Sequence, residues 1–409
     1  MKIHRAWIIL ISSFLTLFIN YSIRIGAYAV LLPEMVKDLH LNMTQAGMIR
    51  SAYFFAYILF SPLTGWMMDR LGGRWVISVF CLFLGMGTFF MGRAHSQTEA
   101  IFFHGMVGMG AAAIWTPVVT LIQNWFGARK RGLALGILSP SYAIGFGLMG
   151  LVLPWIVQEQ GWRMGWSILG IAGWSLMLVN GLLLRNDPTG VGLLPWGEIE
   201  RTVPSVTRTR TVFRARDLLK ERSFWLIGIS YFFISFAAYM ISDFIVTYGV
   251  TELKMDYSEA SQLITLMALT GVAGGFLFMA LSDHIGRKRS LVMIHFLLAG
   301  CILYILFARG PLSIQLGMGG FGFLYGAIWP MYGACTRDHF PREIAGTAFG
   351  MMTVFYGSGA MLNPLLAGRL TDLTGTFRWA FGTGILASVL ASLVILLLRE
   401  PDQCGIEGD

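Results

Sequence analysis

Stretches of about 20 mostly apolar residues, parted by short polar breaks, recur along this 409-residue chain. Hydrocarbon offers no water to bond backbone amides, so a stretch of that length crosses as a helix whose backbone groups satisfy one another. The same residues exclude a soluble fold. Fifty-six per cent of the chain is hydrophobic and 13% charged, about half the charge of a typical soluble domain. Side chains facing lipid need no burial against protein, and the 49 glycines suit close approach between membrane helices.

Twelve spans result, at roughly 6–33, 43–68, 75–92, 98–126, 132–157 and 162–185, then 223–250, 257–282, 289–308, 312–338, 345–370 and 376–398. Met1-Lys2-Ile3-His4-Arg5 ahead of an apolar run resembles the opening of a signal peptide. That run is too long and lacks a small-residue cleavage site, so it counts as the first span. Cys81, Cys301 and Cys335 fall inside apolar runs and Cys404 in the C-terminal tail, a spacing that implies neither disulfides nor a metal.

Net charge is +8, and the basic residues sort by side once the spans are drawn. Lys2, Arg5, Arg70, Arg74, the Arg129-Lys130-Arg131 run, the Arg287-Lys288-Arg289 run, Arg337, Arg342 and Arg399 fall on one side. Lys37, Arg93, Arg163, Lys254 and Arg309 fall on the other. The positive-inside rule then places both termini in the cytoplasm, and the charge is a topology signal that needs no nucleic-acid partner. Pro188, Pro195, Pro204 and a run of arginines interrupt the apolar pattern near the middle. Residues 1–186 thus form an N-terminal six-helix bundle, 187–222 a cytoplasmic linker and 223–409 a C-terminal bundle. A short amphipathic helix near Phe213–Lys220 is expected to lie on the membrane.

The two bundles repeat. Gly65-Trp66-Met67-Met68-Asp69-Arg70-Leu71-Gly72-Gly73-Arg74 returns as Met279-Ala280-Leu281-Ser282-Asp283-His284-Ile285-Gly286-Arg287-Lys288, a register of 214 residues (283 − 69). At the same offset Phe126, Gly132, Ala134 and Gly136 return as Phe340, Gly346, Ala348 and Gly350, and Ala113-Ile114-Trp115 as Ala327-Ile328-Trp329. Parallel repeats of this kind place a substrate site near the midplane, between the halves.

With these motifs the chain resembles the major facilitator superfamily. Gly65, Asp69, Arg70, Gly72 and Arg74 match its signature loop between spans 2 and 3, and Asp283, Gly286, Arg287 and Lys288 form the second copy. The resemblance implies that this loop caps neighbouring helix ends on the cytoplasmic side and serves as a conformational switch, a role that suits a carboxylate beside helix amides and arginines. Within the superfamily two branches are echoed. Asn20-Tyr21-Ser22-Ile23-Arg24, and Trp125 to Gly136 after span 4, resemble the organic anion symporters; Arg185-Asn186-Asp187-Pro188 with Gly192-Leu193-Leu194-Pro195 resembles the monocarboxylate and oxalate/formate transporters. Both branches move small organic acids. Two departures stand out: Ile23 replaces the acid beside the symporters' arginine, and span 8 reads Thr270-Gly271-Val272-Ala273-Gly274-Gly275 where an Asp and Arg pair is expected.

Arg24 is the sharpest signal. An arginine inside an apolar span is costly and faces water, a partner or a substrate; its forked donors match a carboxylate. Tyr21 and Tyr28, at i−3 and i+4, are expected on its face. Asp243, one turn from Tyr239, is the acid clearly inside a second-half span and is a candidate for carrying a proton or gating. Arg24 maps by the repeat to Ala238, so Asp243 lies about 7.5 Å nearer the outside and a direct contact is not favoured. Trp115 and Thr116 in span 4 and Tyr325, Trp329 and Tyr332 in span 10 are expected to line the cavity. Tyr53, Tyr57, Tyr142, Tyr356 and Asn363 are further polar candidates, whereas His104 and His295 read as packed neutral side chains.

Other motifs fail on context. Gly108 to Ala113 fits a dinucleotide fingerprint, but no strand precedes it; Asn42-Met43-Thr44 is a sequon in an outer loop; and Ser139-Pro140-Ser141-Tyr142 only echoes the fifth-span motif of drug antiporters. No HExxH, GxSxG or paired acids on one face argue for an enzyme, and no cofactor is implied. The expectation is an all-α transporter of a small organic anion in a bacterial inner membrane. It would be a monomer driven by protons or another coupling ion; the alternatives are an exporter of drug-like or siderophore-type compounds, an anion exchanger, or a sensor descended from a transporter.

Overall fold

The computed structural model describes residues 4–198 and 215–399; the Asp69 side chain, Phe213, Arg214 and Cys404 lie outside the described residues. Among these the regular structure is all helical, apart from one isolated bridge between Phe126 and Trp196. The first six spans are Arg5–Asp38, Met43–Leu71, Gly73–Met91, Gln97–Trp125, Arg131–Gln160 and Trp162–Leu183. Spans 7 to 12 are Arg222–Thr251, Tyr257–Ile285, Arg287–Phe307, Pro311–His339, Arg342–Thr374 and Arg378–Leu396. Ten of these helices are long and apolar enough to cross a membrane. Span 10, rich in glycine, and span 11, which carries Asn363, Arg369 and Asp372, match the others in length but fall short in apolarity.

Several helices overrun the apolar stretches that the sequence marks. Span 1 continues past residue 33 through Glu34 and Lys37 to Asp38, because a helix stops where its end groups find other partners rather than where hydrophobicity stops. Asn42 starts span 2 with such a partner: its side chain accepts from the Gln45 amide while Gln45 returns a bond to the Asn42 amide. Three spans are irregular. Span 1 widens into a π-helical turn at Ser22–Ala27, span 4 breaks after Ala111 and resumes at Trp115, and span 5 is jointed at Ser139. Of the amphipathic helix expected near Phe213–Lys220, the described residues are helical over Ala215–Leu218.

The repeat extends to the turns. Gly72 and Gly286 have φ of +77° and +89°, and Gly161 and Gly375 have +80° and +73°; each pair is 214 apart (286 − 72, 375 − 161). Only glycine adopts those angles without strain. Linker residues before 199 dock on the N-terminal half: the Trp196 amide donates to the Trp125 carbonyl, and the Trp196 ring lies 5.1 Å from Trp7.

Spans 2 and 11, and spans 5 and 8, form the seams between the halves, and their spacing differs from end to end. Toward the face opposite the chain ends, here the far face, a Cβ on Gly47 would meet the Pro364 carbonyl at 2.1 Å, and one on Gly150 the Ser261 carbonyl at 2.4 Å. On the same spans toward the termini, Gly65, Gly132, Gly136, Gly346 and Gly350 have nothing among the described residues within 4 Å of that position. Side-chain bonds between the halves follow this pattern. Tyr257 donates to the Val30 carbonyl at 2.9 Å, Ser51 to that of Met361 at 2.6 Å, and Asp372 accepts from the Met43 and Thr44 amides. The halves are sealed on the far face and parted on the termini face.

Candidate functional site

Arg24 sits in the π turn of span 1, near the middle of the membrane-spanning length, and is 4% exposed. A π turn holds an extra residue, and such bulges recur at functional sites. Span 5 packs tightly behind this one: a Cβ on Gly26 would meet Met149 at 2.6 Å, and the Ser22 hydroxyl bonds the Gly145 carbonyl at 2.9 Å. Backed against span 5, the guanidinium reaches toward the C-terminal half. Its Nη2 donates to the Tyr239 hydroxyl of span 7 at 3.2 Å and to the Tyr356 hydroxyl of span 11, and those two hydroxyls are 2.6 Å apart. The guanidinium carbon lies 5.0 to 5.9 Å from the ring centres of Tyr21, Tyr53, Tyr57 and Tyr356, within the range of a cation–π contact. Among the described residues its Nε has no partner and no carboxylate pairs with it.

Asp243 pairs with Arg50, a residue that sequence reasoning did not single out. Nε and Nη2 of Arg50 bond the two carboxylate oxygens at 2.9 and 2.7 Å, and Nη1 bonds the Arg24 carbonyl at 2.8 Å. Both side chains are 0% exposed. Arg50 belongs to span 2 and Asp243 to span 7, so the pair bridges the halves toward the far face. A signal for it existed, since Arg50 stands inside an apolar span. It lies close enough to the span's end, however, that a long side chain there ordinarily bends back to water. Only packing shows that Arg50 points inward, boxed by Tyr28, Tyr53 and Phe54 at 4.7 to 5.2 Å.

The other expected residues divide. Tyr21 borders Arg24 and meets Trp115 at 6.4 Å and Tyr142 at 5.6 Å. Trp329 stands 5.2 Å from Tyr356, 6.0 Å from Tyr239 and 5.4 Å from Tyr325. Tyr28 does not share Arg24's surroundings: the π turn displaces the i+4 position, and its hydroxyl bonds the Ala46 carbonyl at 2.8 Å while its ring covers Arg50. Tyr332 is committed inside the C-terminal half, bonded to Ser230 at 2.5 Å and stacked on Tyr231 at 4.2 Å. Thr116 is exposed. Asn363 is fully buried, and among the described residues neither of its amide atoms has a partner. His104 lies between Tyr28 and Tyr53, and His295 stacks on Tyr332.

The repeated loops tie helix ends within each half. Arg74 bonds the Gly181 carbonyl at the end of span 6, and its amide donates to the Asn186 side chain at 2.9 Å. Arg287 pairs with Asp283 at 2.6 Å and with Asp338 of span 10 at 3.5 Å. Arg70 lies over the Trp66 ring. The Gly108 to Ala113 motif serves packing, since a Cβ on Gly108 would strike the Tyr53 carbonyl at 2.0 Å.

Two helical bundles meeting over a buried cation, closed on one face and parted on the other, have the architecture of an alternating-access membrane carrier. The chain belongs to the Major Facilitator Superfamily, whose model matches residues 9–328 and 251–404. It is a transporter, not an enzyme. It is 23% identical to a probable galactarate/D-glucarate transporter of Escherichia coli (strain K12), covering 92% of this chain and 91% of that one. It is 24% identical to a probable sulfoacetate transporter of Cupriavidus necator, covering 94% and 93%. Among solved structures, the inward-facing, occupied form of a bacterial homologue of the human lysosomal transporter Spinster superposes with a TM-score of 0.76 at 16% identity, covering 97% of each chain.

Proposed function

We propose that this chain carries a small organic anion, a mono- or dicarboxylate, across the bacterial inner membrane by alternating access, as a proton symporter. The observation that carries the reading is the charge count at the centre. Arg24 and Arg50 are two buried cations, and Asp243 is the one buried anion among the described residues. A net positive charge in a dry protein core is costly, and an anionic substrate balances it. Arg24 offers a carboxylate two parallel donors, and the surrounding phenols offer further ones. The two relatives above are named for acids, which supports the same class.

The basic side of the chain is taken as cytoplasmic, so both termini face the cytoplasm and the parted face opens inward. Opening the far face instead separates span 2 from span 7 and brings water to Asp243. That carboxylate is then the group able to take a proton together with the substrate. The path lies within a single chain, so one copy suffices.

Uptake into proteoliposomes tests the reading, with D-glucarate and other small carboxylates as probes. Loss of two charge-assisted bonds, about 3 kcal/mol, lowers binding about a hundredfold in Arg24→Ala. An Arg24→Ala protein with unchanged uptake refutes the anchor. Asp243→Asn is expected to exchange substrate without accumulating it under an imposed pH gradient; accumulation at the wild-type level refutes the coupling role.

A further inference from the structure

Arg50 is held by a carboxylate that must leave it. Its partner Asp243 comes from the other half of the molecule, and both sit beyond the midplane, where the halves are sealed. Any movement that admits substrate from the far face draws span 2 from span 7 and breaks the pair. The arginine then loses two of its three bonded donors while its Nη1 stays on the Arg24 carbonyl of its own half. Tyr239 of span 7 also lies 5.8 Å from the guanidinium carbon, but Tyr28, Tyr53 and Phe54 of the N-terminal half are nearer, at 4.7 to 5.2 Å, and with the Arg24 carbonyl they hold it on its own half.

The vacated position is shaped for a carboxylate, since one occupies it in the sealed state with bidentate geometry. It also adjoins the Arg24 site. The Tyr53 ring centre is 5.9 Å from the Arg24 guanidinium carbon and 5.2 Å from that of Arg50, so both cations border one ring. Among the described residues the Tyr53 hydroxyl has no partner, which leaves it able to bond a group spanning the two.

We infer that Arg50 is a second anion anchor, passed between Asp243 in the sealed state and the second acidic group of the substrate in the far-open state. The preferred substrate is therefore a short-chain diacid, with one acid on Arg24 and the other on Arg50. Asp243 competes with it for Arg50, so release of substrate and closure of the far face are one exchange. This inference rests on the anion-carrier reading above and adds to it the substrate's second charge.

The test compares two acids of one chain, D-glucarate with two carboxylates and D-gluconate with one, by calorimetric titration of the purified full-length protein. The ratio of their affinities cancels any shift in conformation that affects both alike. Wild type is expected to bind glucarate at least tenfold more tightly than gluconate. Arg50→Gln alone strands a buried Asp243 and endangers folding, so the informative variant is Arg50→Gln/Asp243→Asn, which buries no unpaired charge. In it the preference is expected to fall to within about twofold, with gluconate binding retained. Asp243→Asn alone keeps Arg50 without its competitor and is expected to keep the preference or raise it.

An unchanged ratio in the double variant overturns the second anchor and leaves the Arg24 reading standing. A ratio held constant while both affinities move shows Arg50 to be a bolt between the halves and likewise overturns it. Failure of wild type to bind either acid, or any other small carboxylate, overturns the anion-carrier reading itself and this inference with it.

Discussion

Replacing Asp243 with alanine is expected to loosen the far face, and the size of the effect follows from the geometry. Arg50 is fully buried and has three bonded donors, two of them on Asp243. Removing one partner of a buried pair costs about 3–5 kcal/mol, because the other charge is left dry and uncompensated. That penalty falls on the sealed conformer alone; once the far face opens, water reaches Arg50. At about 1.4 kcal/mol per factor of ten, the balance between far-sealed and far-open forms shifts at least a hundredfold. Arg50→Gln/Asp243→Asn keeps two neutral, hydrogen-bonding side chains in place and should cost the sealed form far less. Ser51 supplies a reporter: it is 6% exposed and its hydroxyl bonds Met361 across the seam at 2.6 Å. With Ser51→Cys as the sole cysteine, reaction with a polar maleimide should accelerate at least tenfold in Asp243→Ala and much less in the double variant. Equal rates in wild type and Asp243→Ala would refute the argument, as would a double variant as fast as the single one.

Two further predictions concern the seam and the repeated loop. Gly150→Leu places a side chain where even a Cβ would lie 2.4 Å from the Ser261 carbonyl. Overpacking of that kind costs about 1–3 kcal/mol, again only when the far face is sealed, so uptake should fall while thermal unfolding of the far-open form is unchanged. A large drop in melting temperature without loss of uptake would contradict this. Asn186→Ala removes the side chain that accepts from the Arg74 amide at 2.9 Å, next to the positive-φ Gly72. Loss of such a cap costs about 1 kcal/mol, visible as a small fall in melting temperature with substrate affinity intact.

How much of this was legible in the chain differs between fold and site. The spans could be placed to within a few residues because lipid imposes one strong rule on every crossing segment: about 20 apolar residues with no unsatisfied backbone. The constant offset between Asp69 and Asp283 announced two related halves before any packing was known, and the paired angles at Gly72 and Gly286 carry the same repeat into the turns. Arg24 was legible because a charge deep in an apolar run is expensive enough to need a reason.

Arg50 was not, because a cation near a span's end has two fates, snorkelling outward or turning inward, and composition does not separate them. The partner of Asp243 was equally hidden: the pair joins residues 193 apart on different halves, and no local pattern encodes which helices cross there. The π turn in span 1 likewise decides that Tyr21 borders Arg24 while Tyr28 serves Arg50, since one extra residue in a turn rotates everything beyond it. Local hydrophobicity and internal repetition were enough to place this chain in a bilayer as an all-helical protein of two related halves with a cation at the centre, because each of those features is written in short stretches of residues. Tertiary structure alone decided which face is sealed, which carboxylate holds which arginine and which phenols gather around Arg24, because those depend on where helices distant in sequence come to lie.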